Sequence, residues 1–235
     1  MAKTKIEWCD YTINPVKGLC PMACPYCYAR RMYKRFKWNP EIQWDESCLI
    51  DLKHIKQPSQ IFVGSTMELF GAWAGLAVLW IFAYAREYPQ HAFIFLTKKP
   101  ENLIKFSPFP DNCWVGVSAT DASMLTRAWE GLKDVQAKVK FVSIEPLLKW
   151  DMSVSDTEWT IQTAGINWLI IGQQTPASPK TSPKIEWVKE IVQAADKAGV
   201  PVFIKGNLNS CEISEYPELL DKQTGNLRQE FPGSK

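Results

Sequence analysis

The chain has 235 residues, 46% of them hydrophobic, and a formal net charge of +2 at pH 7. This length suits a folded α/β protein with a substantial buried core. The hydrophobic fraction excludes a largely disordered chain, and the small net charge gives no overall indication of a nucleic-acid-binding protein. We therefore expect a single domain over residues 1–235.

The cysteines indicate a reducing compartment. Of the 7 in the chain, three lie close together at Cys20, Cys24 and Cys27, and the others are scattered. An odd number of cysteines with this spacing does not fit a disulfide framework. Residues 1–8 also lack the apolar run of a signal peptide. These features predict a cytoplasmic protein.

The first predicted strand covers residues 6–16 and runs into a loop, residues 18–28, that carries the clustered cysteines. The segment 20–27 reads Cys-Pro-Met-Ala-Cys-Pro-Tyr-Cys, so the three thiols have the spacing C-x3-C-x2-C. Because thiolates are soft ligands, this spacing indicates an iron–sulfur cluster or a zinc ion. A 4Fe-4S cluster usually takes four cysteines, so three would leave a distant fourth ligand or an open iron. Functional sites of α/β folds lie at the carboxyl ends of strands, where this loop begins.

A helix is predicted over residues 28–38, with Met32 and Phe36 on one face. The cations around that face are Arg30, Arg31, Lys34, Arg35 and Lys37. They form either a solvated helix surface or a contact for an anionic partner such as a nucleic-acid backbone. Nucleic acid therefore stays open as a partner.

The rest of the chain alternates short apolar runs with helical segments. The predicted strands are 61–65, 92–97, 114–119, 140–144, 168–172 and 202–205, and the predicted helices are 72–87, 100–105, 122–132 and 184–198. This alternation is typical of a parallel sheet with right-handed crossovers, hence of a barrel or partial barrel. Residues 150–165 and 173–183 are polar and are predicted to be loops, and residues 207–235 a C-terminal extension.

Residues 69–85 contain no charged side chain. A bilayer-spanning helix needs about 20 apolar residues, so a buried or partner-covered helix is favoured and no membrane span is expected. The segment 72–85 is apolar almost all round, and a large exposed apolar surface usually marks a contact. We predict self-association or a protein partner at Trp73, Leu76, Trp80 and Phe82.

Polar residues follow the predicted strands. They are Thr66, Glu68, Thr97, Lys98, Lys99, Ser118, Thr120, Glu145, Gln173, Gln174, Lys205 and Asn207. Because the carboxyl ends of parallel strands meet at one edge of a sheet, we expect these side chains to share one mouth with the cysteine loop. Lys98 and Lys205 are the candidates for binding a carboxylate or phosphate of a substrate.

The motif C-x3-C-x-aromatic-C, with Tyr26 as its aromatic residue, resembles the signature of radical S-adenosylmethionine enzymes. Further blocks resemble one group of these enzymes in order along nearly the whole chain: residues 5–8, 14–16, 27–29, 63–70, 96–101, 114–118, 143–147 and 203–205. The group is the phage-associated three-cysteine-motif family, a domain of unknown function that is distantly similar to spore photoproduct lyase. Many of its members have a longer gap than the one between Cys20 and Cys24.

This resemblance implies an enzyme with a partial (β/α)6-type barrel of parallel strands and the cluster loop after the first strand. It implies a 4Fe-4S cluster on the catalytic residues Cys20, Cys24 and Cys27, whose open iron is chelated by S-adenosylmethionine (SAM). An electron from a flavodoxin- or ferredoxin-type donor would cleave SAM to a 5′-deoxyadenosyl radical, which abstracts hydrogen from an unidentified substrate. The residues implied to bind SAM are Tyr26, Thr66, Glu68, Ser118, Glu145, Gly172 and Gln173.

A second interpretation of the cysteines belongs to a different class of protein. Zinc or a cluster would instead stabilise a non-catalytic module that binds nucleic acid or protein. A structural zinc site needs a fourth ligand, and neither His54 nor His91 has a second ligand-like residue near it in the sequence. The enzyme interpretation predicts a brown iron protein that forms 5′-deoxyadenosine. The binding-module interpretation predicts a colourless zinc protein.

Overall fold

Residues 3–71, 75–208 and 213–233 are described by the structure, which is a computed structural model. The strands are β1 Tyr11–Ile13, β2 Val16–Lys17, β3 Gln43–Trp44, β4 Gln60–Val63, β5 Ala92–Thr97, β6 Cys113–Ala119, β7 Val139–Ile144, β8 Trp168–Ile171 and β9 Val202–Ile204. The α-helices are α1 Tyr28–Phe36, α2 Ser47–Ile50, α3 Gly75–Glu87, α4 Ala122–Leu132, α5 Val154–Ala164 and α6 Ile185–Ala198. Short 3-10 helices cover Asp51–His54, Pro100–Phe106, Gly206–Leu208, Ile213–Glu215 and Pro217–Leu219.

Within the described residues, 7 strands form one parallel sheet flanked by helices, in the order β1-β4-β5-β6-β7-β8-β9. Tyr11 lies opposite Ile61 in the β1–β4 pair, and Ile144 lies opposite Ile171 in the β7–β8 pair. Strands of this kind are mostly apolar because helices exclude water from the faces of the sheet. The predicted α/β class and strand–helix alternation are confirmed, whereas closure into a partial barrel stays a prediction.

The chain divides into two compact units, and the first consists of Met1–Val115 with Gln136–Lys138. An aromatic cluster joins α3 to β5 in its core. The ring centroid of Phe82 lies 5.6 Å from that of Phe95 and 5.3 Å from that of Phe109. Edge-to-face ring pairs of this kind add to the free energy gained from burying their area.

The second unit consists of Gly116–Val135 and Val139–Lys235. Its core contains the fully buried Trp168, whose ring centroid lies 5.3 Å from that of Phe141. Gly116 leaves space for Phe141, because a Cβ at this glycine would overlap the phenyl ring. The prediction of a single domain over the whole chain stays a prediction.

The C-terminal segment covers the edge of the sheet at β9. The Ile204 N–H donates to the Arg228 carbonyl at 2.7 Å, and the Glu230 N–H donates to the Val202 carbonyl at 3.0 Å. An uncovered edge strand is a template for aggregation. The extension predicted over residues 207–235 therefore contains a segment that protects the sheet.

The prediction of one continuous strand over residues 6–16 is wrong. β1 is only 3 residues long, and β2 pairs with β3 in a separate antiparallel ribbon. Pro15 follows β1 and has no N–H to donate to a neighbouring strand. The chain therefore leaves the parallel sheet at Asn14, before it reaches the cysteine loop.

Residues 150–165 were predicted to be a loop from their polar composition, and this prediction is wrong because most of them form α5. The Ser153 Oγ accepts the Asp156 N–H at 3.1 Å and caps the start of the helix. Gly165 ends the helix with a φ of 65°, a conformation that glycine adopts without strain. Ile161 is among the residues that α5 buries.

The other predicted helices are confirmed with shifted ends or a different winding. α1 ends at Phe36, and the next residue, Lys37, has a φ of 52°. α4 has the predicted bounds, and α6 begins at Ile185. The helix predicted over residues 100–105 is present as a 3-10 helix.

The apolar helix is α3, which has a buried and an exposed side. Leu76 and Trp80 are 78% and 61% exposed, as a contact surface requires, whereas Phe82 is 3% exposed. The prediction that Phe82 contacts a partner is therefore wrong, because its ring is part of the core. Trp73 lies outside the described residues. Among the described residues, no helix is long and apolar enough to cross a membrane.

Candidate functional site

The cysteine loop of the first unit begins at Gly18, which has a φ of 120°. A Cβ at this position would lie 2.5 Å from the carbonyl oxygen of Glu41, so glycine is needed for both conformation and space. The Gly18 N–H donates to the Tyr33 hydroxyl of α1 at 2.7 Å. The Leu19 N–H donates to the Pro40 carbonyl at 2.9 Å. The start of the loop is thus fixed to α1 and to the segment that follows it.

The last cysteine of the loop, Cys27, is the N-cap residue of α1. Its Sγ accepts the Arg30 N–H at 3.4 Å, and its own N–H donates to the Cys24 carbonyl at 3.1 Å. The Arg30 guanidinium donates to the Cys20 carbonyl at 2.8 Å. The start of α1 therefore holds the loop. Arg30 contacts the loop backbone, a role that the sequence did not predict.

The Cys20 thiol is partly buried. Burial raises its pKa above the usual value, the backbone N–H groups of Glu68 and Met22 oppose this shift, and the charges of Glu68 and Cys27 add to it. Without a bound cation, the thiol is therefore protonated at neutral pH. A metal ion favours the thiolate and displaces the proton.

Glu68 joins the segment after β4 to the end of β5. Its carboxylate is buried, and Oε1 accepts the Thr97 hydroxyl at 2.6 Å and the Phe70 N–H at 3.0 Å. Oε2 accepts the Lys98 N–H at 2.7 Å. A buried carboxylate needs such donors to compensate for lost hydration. Two predicted site residues, Glu68 and Lys98, are therefore neighbours.

A second group of hydrogen bonds joins the same segment to β1 and α1. Asn14 Oδ1 accepts the N–H of Thr66 at 3.1 Å and its hydroxyl at 3.0 Å. The Tyr28 hydroxyl donates to the Ser65 carbonyl at 2.8 Å. The cysteine loop, the end of β1 and the segment after β4 thus form one connected region of the first unit.

Lys98 also contacts the cysteine loop through Tyr26. Its Nζ lies 5.9 Å from the centroid of the Tyr26 ring, within the range of a cation–π interaction. The predicted roles of Lys98 in binding a substrate and of Tyr26 in binding SAM stay predictions.

The three thiols fit an iron–sulfur or zinc site in the chemistry of their donor atoms, since they lie on one loop and are all partly buried. Cys20 and Cys27 are close enough for their charges to interact. Within residues 3–71, 75–208 and 213–233, however, no group of three or more His, Cys, Asp or Glu side chains is arranged to hold a metal ion. Metal binding would therefore have to draw the sulfur atoms together.

In the second unit, Glu145, Gly172 and Lys205 lie side by side beyond β7, β8 and β9. The Gly172 N–H donates to the Ile144 carbonyl at 3.1 Å, and the Lys205 N–H donates to the Ile171 carbonyl at 2.9 Å. The parallel register thus continues past the strands. Lys205 Nζ is ion-paired to Glu145. A Cβ at Gly172 would lie 3.0 Å from the Lys205 side chain and 3.2 Å from the Glu145 carboxyl carbon, so glycine leaves room for the pair.

Gln173 forms reciprocal hydrogen bonds with Asn207. Its Nε2 donates to the Asn207 carbonyl, and Asn207 Nδ2 donates to the Gln173 carbonyl at 2.9 Å. The Ser182 hydroxyl donates to Gln173 Oε1 at 3.2 Å. The loop predicted over residues 173–183 is thus held at both ends by the same side chain. Ser118 lies within β6 and is 2% exposed.

The predicted site residues are divided between the two units. The set in the first unit contains Cys20, Cys24, Tyr26, Cys27, Thr66, Glu68 and Lys98, and the set in the second unit contains Ser118, Glu145, Gly172, Gln173 and Lys205. Asn14, whose side chain holds Thr66, was missed. Asn14 follows β1 directly, so it carries the same signal as the other polar strand-end residues.

The fold and the first set of residues define an α/β protein with a parallel sheet and a three-cysteine loop between β1 and α1. The chain belongs to the family described as Protein of unknown function (DUF5131), whose model matches residues 3–226. This match includes the cysteine loop and both sets of site residues, and the family description names neither an activity nor a cofactor. No curated protein matches the chain.

Proposed function

We propose that the protein is a radical SAM enzyme in which Cys20, Cys24 and Cys27 hold a 4Fe-4S cluster and SAM binds its fourth iron. The observation that carries this proposal is the cysteine loop, whose three partly buried thiols lie between the first parallel strand and α1. Ligands of α/β proteins bind at this end of the strands. The proposal includes the finer fold, a partial (β/α)6-type barrel.

When bound, the cluster would supply the electron that cleaves SAM to a 5′-deoxyadenosyl radical, which abstracts hydrogen from the unidentified substrate. The chain itself holds the loop in place, because Arg30 donates to the Cys20 carbonyl and Cys27 caps α1. Glu68 keeps the neighbouring segment in place by accepting hydrogen bonds from Phe70, Thr97 and Lys98. In this unit we propose that Tyr26, Thr66 and Glu68 contact SAM.

The proposed reaction requires an external reductant, and we propose a donor of the flavodoxin or ferredoxin type. Such a donor and an oxygen-sensitive cluster both need a reducing compartment. The cytoplasmic location predicted from the cysteines is therefore part of the same proposal.

Anaerobic reconstitution with iron and sulfide tests the proposal. We expect a brown protein with about four irons per chain that forms 5′-deoxyadenosine from SAM when dithionite reduces it. Cys20→Ala, Cys24→Ala and Cys27→Ala should each lose most of the iron and all of the product. Cys48→Ala is the matched control, because Cys48 is a partly buried thiol outside the loop, and it should retain both.

Two results would contradict the proposal. The first is a protein that binds a full complement of iron but forms no 5′-deoxyadenosine with any reductant. The second is a colourless protein with one zinc ion per chain held by the loop cysteines, which would support the non-catalytic binding module instead.

A further inference from the structure

An exposed basic and aromatic surface lies at the end of α1 in the first unit. Every residue from 34 to 44 is exposed. Residues 28–44 carry five cations and one acid, Glu41, although the whole chain has a net charge of only +2. The rest of the chain is therefore net negative, and the positive charge is concentrated in this segment. A local concentration of positive charge attracts an anionic partner.

Three of these cations can contact such a partner. Arg30 is engaged, because it donates to the Cys20 carbonyl. Lys34, Arg35 and Lys37 are exposed and form no ion pair within the part of the chain that the structure describes. They lie in the last turn of α1 and directly after it. Their charges do not neutralise carboxylates of the chain, so they can pair with the anionic groups of a ligand.

Two exposed aromatic rings lie among these cations. Phe36 and Trp38 are 51% and 44% exposed, and their rings stack with centroids 5.5 Å apart and planes 24° apart. The Tyr33 ring contacts Trp38 edge-on at 5.2 Å. The Arg35 guanidinium lies 5.3 Å from the centroid of Phe36. Because neighbouring side chains hold the two rings in position, little conformational entropy is lost when a flat ligand stacks on them.

Cations and stacked rings together determine which class of anion fits. An acidic peptide would pair with the cations and leave the exposed rings without a partner. A membrane surface takes up aromatic side chains that project into the lipid, whereas these two rings lie against each other. Single-stranded nucleic acid offers both a phosphate backbone and unstacked bases, and bases of any sequence stack on aromatic side chains. A duplex offers its phosphates alone, since its bases are already stacked.

The surface is fixed to the cysteine loop through Tyr33. Its hydroxyl accepts the Gly18 N–H at 2.7 Å, and its carbonyl accepts the Trp38 N–H at 3.2 Å. The Leu19 N–H donates to the Pro40 carbonyl at 2.9 Å, which joins the loop to the segment after α1. A strand that stacks on the two rings therefore lies next to the loop that carries the three thiols.

We propose that the surface formed by Lys34, Arg35, Phe36, Lys37 and Trp38 binds single-stranded nucleic acid, with phosphates on the cations and bases stacked on the rings. DNA and RNA share the groups that these contacts need. Binding at this surface does not require the cluster. In the proposed enzyme the bound strand would also carry the substrate, and this last step alone rests on the proposed function.

Fluorescence anisotropy with the iron-free full chain tests the proposal. The probes are labelled strands of about 12 nucleotides, one of thymidine DNA, one of uridine RNA and one DNA duplex of mixed sequence. We expect each single strand to bind with a Kd of about 1–100 μM, and the relative affinity of the two shows which nucleic acid is preferred. The duplex should bind about tenfold more weakly, because its bases cannot stack on the rings.

The salt dependence of binding tests the role of the cations. For three phosphate contacts, the logarithm of the association constant should fall with the logarithm of the salt concentration with a slope of about −2. The triple variant Lys34→Gln, Arg35→Gln and Lys37→Asn should weaken binding at least about tenfold and bring the slope close to zero. Asparagine replaces Lys37 because φ is 52° at this position, which asparagine tolerates.

The matched control for the triple variant is Lys53→Gln with Lys56→Gln and Lys105→Gln. It removes the same charge from three exposed lysines of the same unit. Exposed charges that do not contact the strand are largely screened by salt, so the control should bind within about threefold of the wild-type chain and keep its slope.

Variants of Trp38 test the role of the rings. Trp38→Ala should weaken single-strand binding about tenfold, as expected for the loss of one stacked base, and should leave the salt slope unchanged because it removes no charge. Trp38→Phe keeps a ring and should retain most of the affinity, which separates stacking from any effect on folding. Trp159→Ala is the matched control, because Trp159 is 55% exposed and its ring lies against that of Trp129, and it should bind normally.

The proposal is overturned if neither single strand binds, if the duplex binds as tightly as the strands, or if the triple variant and its control weaken binding equally. Binding of polyglutamate or of phosphatidylserine vesicles without binding of either strand would assign the surface to another partner and would also overturn it. Since iron is not present, these results are separate from failure of the cluster to assemble. A protein that binds single strands but never forms 5′-deoxyadenosine would keep this surface and lose the proposed enzyme.

Discussion

At the scale of single residues, Glu68 holds the region around the cysteine loop together, since its carboxylate accepts Thr97, Phe70 and Lys98. Glu68→Gln keeps the shape of the side chain. It replaces one carboxylate oxygen, which accepts hydrogen bonds, by an amide NH2 group, which is a donor and would face another donor. Hydrogen bonds to charged groups contribute about 1.5–3 kcal/mol each, so we expect the free energy of unfolding to fall by about 3 kcal/mol. Urea denaturation of the iron-free protein measures this loss.

The control for Glu68→Gln is Glu101→Gln. Glu101 is exposed, and exposed substitutions usually change stability by less than about 0.5 kcal/mol. A similar small change for Glu68→Gln would show that the three hydrogen bonds do not stabilise the fold.

Cys113 makes the stability of the first unit sensitive to alkaline pH. It is fully buried, and burial raises its pKa from 9.0 to about 12. A thiol with a raised pKa stabilises the folded state fully below the unfolded pKa, and this contribution is lost as pH rises toward the folded pKa. We expect a loss of about 2.5 kcal/mol between pH 8 and pH 11, from 1.36 kcal/mol per pKa unit.

Comparison with Cys113→Ala isolates this contribution. Other groups with raised pKa values, Cys48 at about 11 and Tyr84 at about 12, titrate in both proteins and cancel in the difference. The stability advantage of the wild-type chain over Cys113→Ala should shrink by about 2.5 kcal/mol across this pH range. Parallel stability curves would show that the buried thiol does not titrate as expected.

The two sets of site residues differ in how far the sequence predicted them. The cysteine loop was found from local spacing alone, because its three thiols lie on one short segment. Glu145 and Lys205 were selected only because each follows an apolar run, and their ion pair was not predicted. The pair depends on the register of β7, β8 and β9, which is fixed by contacts between residues far apart in the chain.

At the scale of secondary-structure elements, apolar runs predicted the strands well, because buried parallel strands need few polar residues. α5 was missed because its residues are mostly polar and include several threonines, which favour helices only weakly. Its ends nevertheless carry recognisable signals, the Ser153 cap and Gly165. The long strand predicted over residues 6–16 failed because Pro15 interrupts it.

α3 gives a prediction that separates a core face from a contact face. Leu76, Leu79 and Trp80 are exposed on one side, whereas Phe82 is buried on the other. Phe82→Ala should cost about 3–5 kcal/mol, as expected for a large ring removed from a packed core. Trp80→Gln should change monomer stability by less than about 0.5 kcal/mol. Chemical denaturation of the two variants measures these changes in the free energy of unfolding.

Self-association through α3 is measured on a double variant of its exposed side. If the exposed side of α3 is a contact surface, sedimentation velocity should show concentration-dependent association of the wild-type chain that Leu76→Gln with Trp80→Gln abolishes. Ile104→Gln is the control, because Ile104 is an exposed apolar residue of the same unit outside α3. A wild-type protein that stays monomeric at high concentration and captures no partner would contradict the predicted contact.

At the scale of the whole molecule, the family match ends at residue 226, just before the segment that pairs with β9. Arg228 in this segment donates to Asp196 at 2.8 Å and to Glu230 at 2.9 Å. Burial alone would lower the pKa of its guanidinium, but Asp196 and Glu230 outweigh burial and raise it. The Trp168 Nε1–H donates to the Glu230 carbonyl at 2.8 Å. The C-terminal segment is therefore integrated into the second unit beyond the matched region.

Deletion of residues 227–235 should destabilise the second unit. The deletion removes the backbone hydrogen bonds to β9, the Arg228 ion pairs and the acceptor of the Trp168 indole, at a cost of about 4 kcal/mol. For a chain of this length, that cost lowers the melting temperature by about 10 °C. The exposed β9 edge should also cause concentration-dependent aggregation, measured by light scattering.

The control is a chain that lacks only residues 232–235. It keeps all of these contacts and should melt within about 1 °C of the full chain. Equal melting of the two truncated proteins would show that the segment covers the edge without stabilising it.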